Sequence, residues 1–165
     1  MNVTIRKATA SDVPEILDIV NYSILHTTSN YNYEIQSLEA QLKWFQLKQS
    51  KKDPVVVADL DGKTIGYGTY GMFREKVGYQ FTVEHSVYVA ADFIGKGIGG
   101  LLLTELIRLG KKQGVHVMIG GIDAANTGSI AFHKKFGFVE NGILKEVGFK
   151  FGKWLDLLFM QLILK

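Results

Sequence analysis

Residues 92–114 read DFIGKGIGGLLLTELIRLGKKQG, and this stretch decides the fold. Four glycines fall within the six residues 95–100, at the start of an amphipathic helix predicted over about 97–113. Glycine reaches positive φ and leaves backbone N–H groups uncovered, and a helix N-terminus adds unpaired donors and partial positive charge. The stretch therefore predicts a loop that binds phosphate or pyrophosphate, with Lys96 as a cation beside it. The alternative is a plain flexible turn before a surface helix.

The same glycines match a dinucleotide-binding pattern, but the surrounding sequence argues against that class. Gly95-x-Gly97-x-x-Gly100 fits the pattern, and Asp123 lies 23 residues beyond Gly100. In the dinucleotide fold, however, the glycines follow a strand at once, whereas AADFI separates them here from Val89. Only 42 residues follow Asp123, too few to complete a sheet of two halves. The phosphate loop Gly-x-x-x-x-Gly-Lys-Ser/Thr does not occur.

Helical and extended patterns alternate on both sides of the loop. Ser11 or Asp12 is predicted to cap a first helix with Pro14 in its first turn, and Ser37 begins a second helix. Asp61-Gly62 predicts a hairpin between two strands. A short helix is predicted over about 126–136. The other extended runs are NVTIRKA, YQFTVEHSVYVA, VHVMIGGI, FVENGILKEVGFKF and WLDLLFMQLIL. No linker interrupts the pattern, which predicts one mixed α/β domain over residues 1–165.

Composition excludes several classes of function. Lysine and arginine number 19 against 16 acidic residues, for a net charge of +3, and the basic residues are scattered. A nucleic-acid-binding protein would show a stronger, focused positive patch. No apolar run approaches a membrane span and the N-terminus lacks a secretory signal, so we expect a cytoplasmic protein without membrane contact. The absence of cysteine excludes disulfides and thiolate chemistry, and no metal is expected.

Two motifs connect the chain to a known family. Residues 94–99, IGKGIG, fit Gln/Arg-x-x-Gly-x-Gly/Ala, except that Ile94 replaces the polar first residue. A second pattern, Asn-x-x-Ala/Ser-x-x-x-Tyr-x-x-x-Gly-Phe, is matched by Asn126, Ser129, Gly137 and Phe138, with His133 at the Tyr position. Both are motifs of the GCN5-related N-acetyltransferase (GNAT) superfamily, which the chain resembles over nearly its full length. The stretches TVEHSVYV, HVMIGGIDAANTGSI, LHTTSNY and VGFKFGKWLDLLFMQL are similar to its phosphinothricin and methionine sulfoximine acetyltransferase branch.

The resemblance implies a fold and a co-substrate. The fold is α/β (α+β), with a mixed central sheet of about six to seven strands, about four helices, and a splay between strands around an acetyl-coenzyme A site. The branch is usually homodimeric. Asn126 is expected either to contact the pantetheine amides or to steer the helix that follows. The implied cofactor-binding residues are Val87, Tyr88 and Val89 along the pantetheine arm, Gly95, Lys96, Gly97, Ile98, Gly99 and Gly100 at the pyrophosphate, and Asn126 and Ser129.

Two side chains are predicted to carry the catalysis. Glu84 interrupts an apolar strand, where burial would raise its pKa toward that of a general base, and it matches the family's carboxylate. The alternative to a base is a glutamate on a solvated strand face. If Glu84 is the base, it takes the proton either directly or through a water molecule. His133 is expected either to protonate the leaving thiolate or only to pack on the cofactor. His85, on the opposite strand face from Glu84, is expected to be structural.

The resemblance also implies the substrate, which is phosphinothricin, methionine sulfoximine or methionine sulfone. The α-amino group of this substrate is expected to attack the thioester directly. Arg74 suits a carboxylate, although a solvated loop arginine is the alternative. Two other functions stay open: acetylation of a polyamine, an aminoglycoside or a protein N-terminus, and a coenzyme A-binding sensor without turnover. The implied substrate-binding residues are Thr28, Tyr31, Phe73, Arg74, Glu75 and Glu84.

Overall fold

The computed structural model describes residues 1–165. The strands are β1 (Val3–Lys7), β2 (Val55–Leu60), β3 (Lys63–Met72), β4 (Thr82–Val89), β5 (Val117–Asp123), β6 (Val139–Lys150) and β7 (Lys153–Ile163). The helices are α1 (Val13–His26), α2 (Leu38–Ser50), α3 (Ile98–Lys112) and α4 (Thr127–Lys135). All seven strands form one sheet in the order β1-β2-β3-β4-β5-β7-β6. The predicted mixed sheet with four helices is therefore confirmed.

The splay in the sheet lies between β4 and β5. Every neighbouring pair of strands is antiparallel except this one, which is parallel. The two strands pair only from Thr82 opposite Val117 to Glu84 opposite Ile119. Beyond that point β4 continues to Val89 and β5 continues to Asp123 without pairing to each other. The strands separate there, as the resemblance implies, and open a gap in the middle of the sheet.

The helices cover the two faces of the sheet. Leu102, Leu103 and Leu106 of α3 are fully buried in the larger core cluster on one face. On the other face, Ile16 of α1 and Phe45 of α2 belong to a second cluster. Burial of each such side chain stabilises the fold by about 1.5–3 kcal/mol. No helix of the chain has the length and apolarity needed to cross a bilayer.

The start of α1 differs from the prediction in one respect. Asp12 holds the N-cap position before Val13, but its side chain makes no capping hydrogen bond. Its carboxylate instead accepts from Arg6 at 2.8 Å and from the Thr64 hydroxyl at 2.9 Å. The Arg6 guanidinium holds the pKa of Asp12 well below its ordinary value. Asp12 therefore holds the predicted cap position, but Arg6, Thr64 and the backbone N–H of Thr9 take up its carboxylate.

Candidate active site

A cleft of about 660 Å³ opens in the gap between β4 and β5. It is bordered by the start of α3, by α4 and by the loop between α1 and α2 (residues 27–37). Most of the predicted site residues line this cleft. They are Glu84, Val87, Tyr88, Val89, Gly95, Gly97, Ile98, Gly99, Gly100, Asn126, Ser129 and His133. The structure therefore brings the two sequence motifs and the predicted base to one place.

The glycine loop presents free backbone donors to the cleft. Gly95 and Gly97 have φ values of 80° and 81°, in the left-handed region that favours glycine. The N–H groups of Gly95, Gly97, Ile98 and Gly99 donate to no acceptor in the protein. They lie at the positive end of α3, and the nearby Asp92 does not line the cleft. This cradle fits a pyrophosphate.

Lys96 does not line the cleft, although the sequence predicts it there. Its ammonium lies over the Phe93 ring, 5.1 Å from the ring centroid. A cation above an aromatic face is stabilised by the quadrupole of the ring. Lys135, at the end of α4, is the lysine that lines the cleft. Ile94 is exposed and presents an apolar side chain at the first motif position.

The edge of β4 that faces the gap has unpaired backbone groups. On the β3 side, the Thr82 carbonyl accepts from the Phe73 N–H and the Ala90 N–H donates to the Ile65 carbonyl. Because successive residues of a strand direct these groups to opposite edges, those of Val87 and Val89 point into the gap. An extended ligand can therefore pair with this edge as an additional strand would. Tyr88 turns its backbone toward β3 instead.

Glu84 faces the cleft from the opposite side of β4 to His85, which is buried. A methyl group placed on Gly121 would lie 3.8 Å from Glu84 Oε2, 3.4 Å from Leu157 Cδ1 and 3.9 Å from Phe159 Cε1. The Glu84 residue is exposed to solvent at the cleft, as in the solvated-face alternative, and Leu157 and Phe159 border the neighbouring Gly121. Partial loss of solvent around the carboxylate raises the pKa of Glu84 above its ordinary value. No neighbouring charge or hydrogen bond contributes to this shift. An unpaired carboxylate with a raised pKa is suited to accept a proton.

His133 is buried against the floor of the cleft, and both of its ring nitrogens have partners. Nδ1 lies 2.7 Å from the carbonyl oxygen of Ser129, and Nε2 lies 3.1 Å from Nε2 of His85. Burial lowers the pKa of His133 below its ordinary value. A neutral imidazole carries one N–H, and the Ser129 carbonyl takes it. In that tautomer both ring nitrogens are already engaged, which favours the packing role expected of His133 over protonation of the thiolate.

Asn126 acts on α4. Its side-chain oxygen accepts from the backbone N–H of Ser129 at 3.0 Å, which caps the helix N-terminus. Of the two roles expected for Asn126, this contact favours steering of the helix. Because His133 lies on the same helix and bonds the Ser129 carbonyl, the cap also fixes the position of His133.

Apart from Glu84, the predicted substrate residues do not line the cleft. Phe73, Arg74 and Glu75 follow β3 and do not line the cleft itself. The Phe73 ring meets the Phe159 ring edge-on at 6.0 Å, which links it to the apolar side chains beside Gly121. The Arg74 guanidinium lies 5.2 Å from the centroid of the Phe73 ring, and the side chain is exposed.

The α1–α2 loop is anchored to the C-terminal half of the chain. Thr28 donates to Asp123 at 2.6 Å, and Tyr31 lies against Gly148 with its hydroxyl buried and unpartnered. The ammonium of Lys150 is buried and donates to the backbone carbonyls of Thr27 and Asn30. Burial lowers the pKa of Lys150. These contacts hold the predicted loop residues beside the cleft.

Sequence reasoning missed the part of the cleft that β5 supplies. Gly120 lies beneath the two histidine rings, Gly121 lies beside Glu84, and Asp123 receives the Thr28 hydroxyl. Consecutive glycines inside a predicted strand are the signal that was available, because they mark a close approach of other groups. No cluster of three or more side chains suited to a metal ion occurs.

The fold and the cleft define a transferase of the class that holds an acyl-coenzyme A in a split mixed sheet. The sequence model of the acetyltransferase (GNAT) family matches residues 20–138. The chain belongs to this family.

Three relatives place it more finely. The L-methionine sulfoximine/L-methionine sulfone acetyltransferase of Pseudomonas paraeruginosa is 43% identical over 163 residues, 98% of this chain and 95% of the relative. The structure of a phosphinothricin acetyltransferase from Sinorhizobium meliloti in complex with acetyl-coenzyme A has a TM-score of 0.95 and 38% identity, over 99% of this chain and 89% of that one. The structure of a ribosomal-protein-alanine N-acetyltransferase from Brucella melitensis has a TM-score of 0.96 and 46% sequence identity. The match covers 98% of this chain and 99% of that one.

Proposed function

We propose that this protein transfers the acetyl group of acetyl-coenzyme A to the α-amino group of a small amino-acid analogue: methionine sulfoximine, methionine sulfone or phosphinothricin. The observation that carries the proposal is the unpaired Glu84 carboxylate. It faces the same cleft as the glycine loop, and desolvation raises its pKa. The names of the relatives from Pseudomonas and Sinorhizobium support the substrate class.

The residues of the cleft bind the acetyl donor in two places. The four free N–H groups at the start of α3 hold the pyrophosphate, and Lys135 adds a positive charge on the other wall. The backbone of Val87 and Val89 pairs with the pantetheine arm. This arrangement directs the thioester toward the point where β4 and β5 separate, next to Glu84.

Glu84 prepares the amine for attack. It takes a proton from the substrate ammonium, directly or through one water molecule, so that the nitrogen lone pair becomes available. The nitrogen then bonds to the thioester carbon, its second proton passes to solvent water, and the carbon–sulfur bond breaks with its electron pair leaving on the sulfur. A β4 backbone N–H in the gap stabilises the carbonyl oxygen as it becomes anionic. The thiolate leaves without a proton from His133, because the neutral ring has no free N–H.

The rim residues select the substrate. Phe73 and Phe159 form an apolar wall beside Glu84, and Arg74 lies within reach of that wall. A guanidinium binds a carboxylate through two parallel hydrogen bonds. We therefore place the substrate carboxylate at Arg74 and its side chain against the aromatic wall, with Glu75, Thr28 and Tyr31 completing the rim.

Thiol release from acetyl-coenzyme A tests the reaction, because a protein without cysteine cannot itself consume a thiol reagent. The amines are methionine sulfone, methionine sulfoximine, phosphinothricin, plain amino acids, spermidine, an aminoglycoside and a peptide with N-terminal alanine. We expect turnover with the first three, weakened by Glu84→Gln and unchanged by the matched control Glu39→Gln on the exposed face of α2. Turnover only with spermidine, the aminoglycoside or the peptide would refute the substrate class. Binding of acetyl-coenzyme A without turnover of any amine would favour a sensor.

We also propose that two copies pair through β6, an edge strand of the sheet. Its exposed apolar side chains are Val139, Ile143, Leu144, Val147 and Phe149. Sedimentation velocity should show a dimer that Val147→Lys dissociates and Leu47→Lys, at an equally exposed position on α2, leaves intact. A monomeric wild type would refute the pairing.

We place the reaction in the cytoplasm, and cell fractionation tests that location.

A further inference from the structure

Two histidines form a buried pair at the floor of the cleft. The Nε2 atoms of His85 on β4 and His133 on α4 are 3.1 Å apart, and both side chains are almost fully buried. Phe138 packs against both rings, with centroids 5.4 Å from His85 and 5.2 Å from His133. Phe132 meets the His133 ring edge-on at 5.2 Å.

The hydrogen bonds assign every proton of the pair. A carbonyl oxygen only accepts, so the 2.7 Å contact with the Ser129 carbonyl requires a proton on His133 Nδ1. In the neutral ring Nε2 then carries a lone pair, which must accept from the Nε2–H of His85. His85 Nδ1 is left as a bare lone pair, and this atom is buried without a partner. Two neutral rings therefore satisfy both contacts only in opposite tautomers, with Nδ1–H on His133 and Nε2–H on His85.

The packing around the pair contains no charge that would favour a second proton. Glu84 lies on the other face of β4, and Asp123 and Lys135 line the cleft without bonding either ring. From β5, Gly120 faces the two rings, and a methyl group there would lie 3.1 Å from His85 Nε2 and 3.4 Å from His133 Nε2. Burial and the neighbouring His133 lower the pKa of His85 to about 3.

We propose that His85 is a positioning residue for acetyl transfer. Its Nε2–H occupies the Nε2 lone pair of His133, so that the His133 ring, which lines the cleft, stays neutral and fixed in one tautomer. This role rests on the proposed function, because it takes the cleft to be the site of acetyl transfer. It differs from proton donation by His133, which would require that the ring gain and lose a proton in each turnover.

Two substitutions of His85 separate the hydrogen bond from simple filling of space. In His85→Gln a side-chain amide can replace the donor to His133 Nε2, whereas His85→Phe keeps an aromatic ring and removes the donor. With four histidines in the chain, ¹⁵N-histidine NMR resolves each ring, and the exposed His26 and His116 give reference signals for solvent-facing rings. The spectra are recorded from pH 5 to 9 without ligand, so they do not depend on turnover.

We expect the wild type and His85→Gln to show His133 as a fixed Nδ1–H tautomer throughout. In His85→Phe, His133 should titrate or change tautomer. The kcat of that variant should then gain an acid limb that falls about tenfold per pH unit below the new pKa, while the KM for acetyl-coenzyme A is unchanged. Gly120→Ala, which pushes the rings apart, should resemble His85→Phe. Gly121→Ala, whose methyl group lies near Glu84, should leave the His133 signals unchanged.

Two results would overturn the proposal. One is an Nε2–H tautomer of His133 in the wild type, and the other is a His133 signal and pH profile in His85→Phe that match the wild type. If the tautomers are as assigned but no amine is acetylated, the proposed function fails and His85 is a structural residue only. Circular dichroism of each variant identifies loss of fold.

Discussion

Replacement of Glu84 by glutamine keeps the shape of the side chain and removes the proposed base. Only a small fraction of the α-amino groups of a free amino acid is deprotonated at pH 7, because the neighbouring carboxylate raises their pKa above the value of about 8 of a peptide N-terminus. Without Glu84 only this fraction of bound amine can attack, and this loss is part of the benefit of about 10²–10⁴-fold that a positioned base gives. We expect kcat to fall by about 10²-fold at pH 7, the lower end, because the amine can still lose its proton to water.

The same substitution should stabilise the fold, which separates a catalytic effect from damage. Desolvation raises the pKa of Glu84 in the folded state above that of the unfolded chain. The folded protein then binds more protons than the unfolded one near that pKa, so ionisation of Glu84 lowers the free energy of unfolding as pH rises. Glu84→Gln should therefore raise Tm slightly at pH 7, and the difference from wild type should vanish at acid pH where Glu84 is protonated.

The assay follows thiol release against pH for both proteins at saturating methionine sulfone, with Tm measured in the same buffers. The log kcat of Glu84→Gln should keep rising with pH toward the pKa of the amine, while the wild type levels off earlier. A kcat within threefold of wild type at pH 7, combined with an unchanged pH profile, would refute the role of Glu84 as base. A fall in kcat together with a lower Tm would indicate damage to the fold instead.

Three other substitutions test separate parts of the site. Gly97→Ala places a side chain at a φ of 81°, at a strain of about 1–2 kcal/mol, and should raise the KM for acetyl-coenzyme A about tenfold in initial-rate assays; an unchanged KM would count against the phosphate cradle. Arg74→Ala should raise the KM for methionine sulfone about tenfold but leave that for acetyl-coenzyme A unchanged, and equal changes in both would contradict a carboxylate contact. Lys150→Met removes two hydrogen bonds to the α1–α2 loop and should lower Tm by several degrees in calorimetry, about 2 kcal/mol; an unchanged Tm would show that the loop is held by other contacts.

The sequence predicts well those structural features that depend only on residues adjacent in the chain, such as helix caps, turns and the two faces of a strand. Ser37 caps α2 through the Ala40 N–H, and Asp61-Gly62 forms the two-residue turn between β2 and β3. The alternation of side chains along a strand is enough to place Glu84 and His85 on opposite faces. Each of these outcomes depends on a few adjacent residues, so tertiary contacts leave it unchanged.

Features that depend on distant partners could not be predicted in this way. Arg6 and Thr64 take the Asp12 carboxylate that the sequence assigns to a helix cap. The hydrogen bond between His85 and His133 joins residues 48 positions apart. No local pattern in β4 predicts that His85 contacts His133 of α4.

The anchoring of the α1–α2 loop by Lys150 has a consequence for protein synthesis. The ammonium joins residues 120 positions apart along the chain, so this anchor of the loop forms only when nearly the whole polypeptide has left the ribosome, later than the bonds of the loop to Tyr88 and Asp123. Closing a loop of that length has an entropic cost of about 4 kcal/mol, which the contact recovers only after β6 has joined the sheet. Nascent chains that stop short of β6 should therefore contain a folded sheet edge of β1, β2 and β3 but expose this loop to proteases.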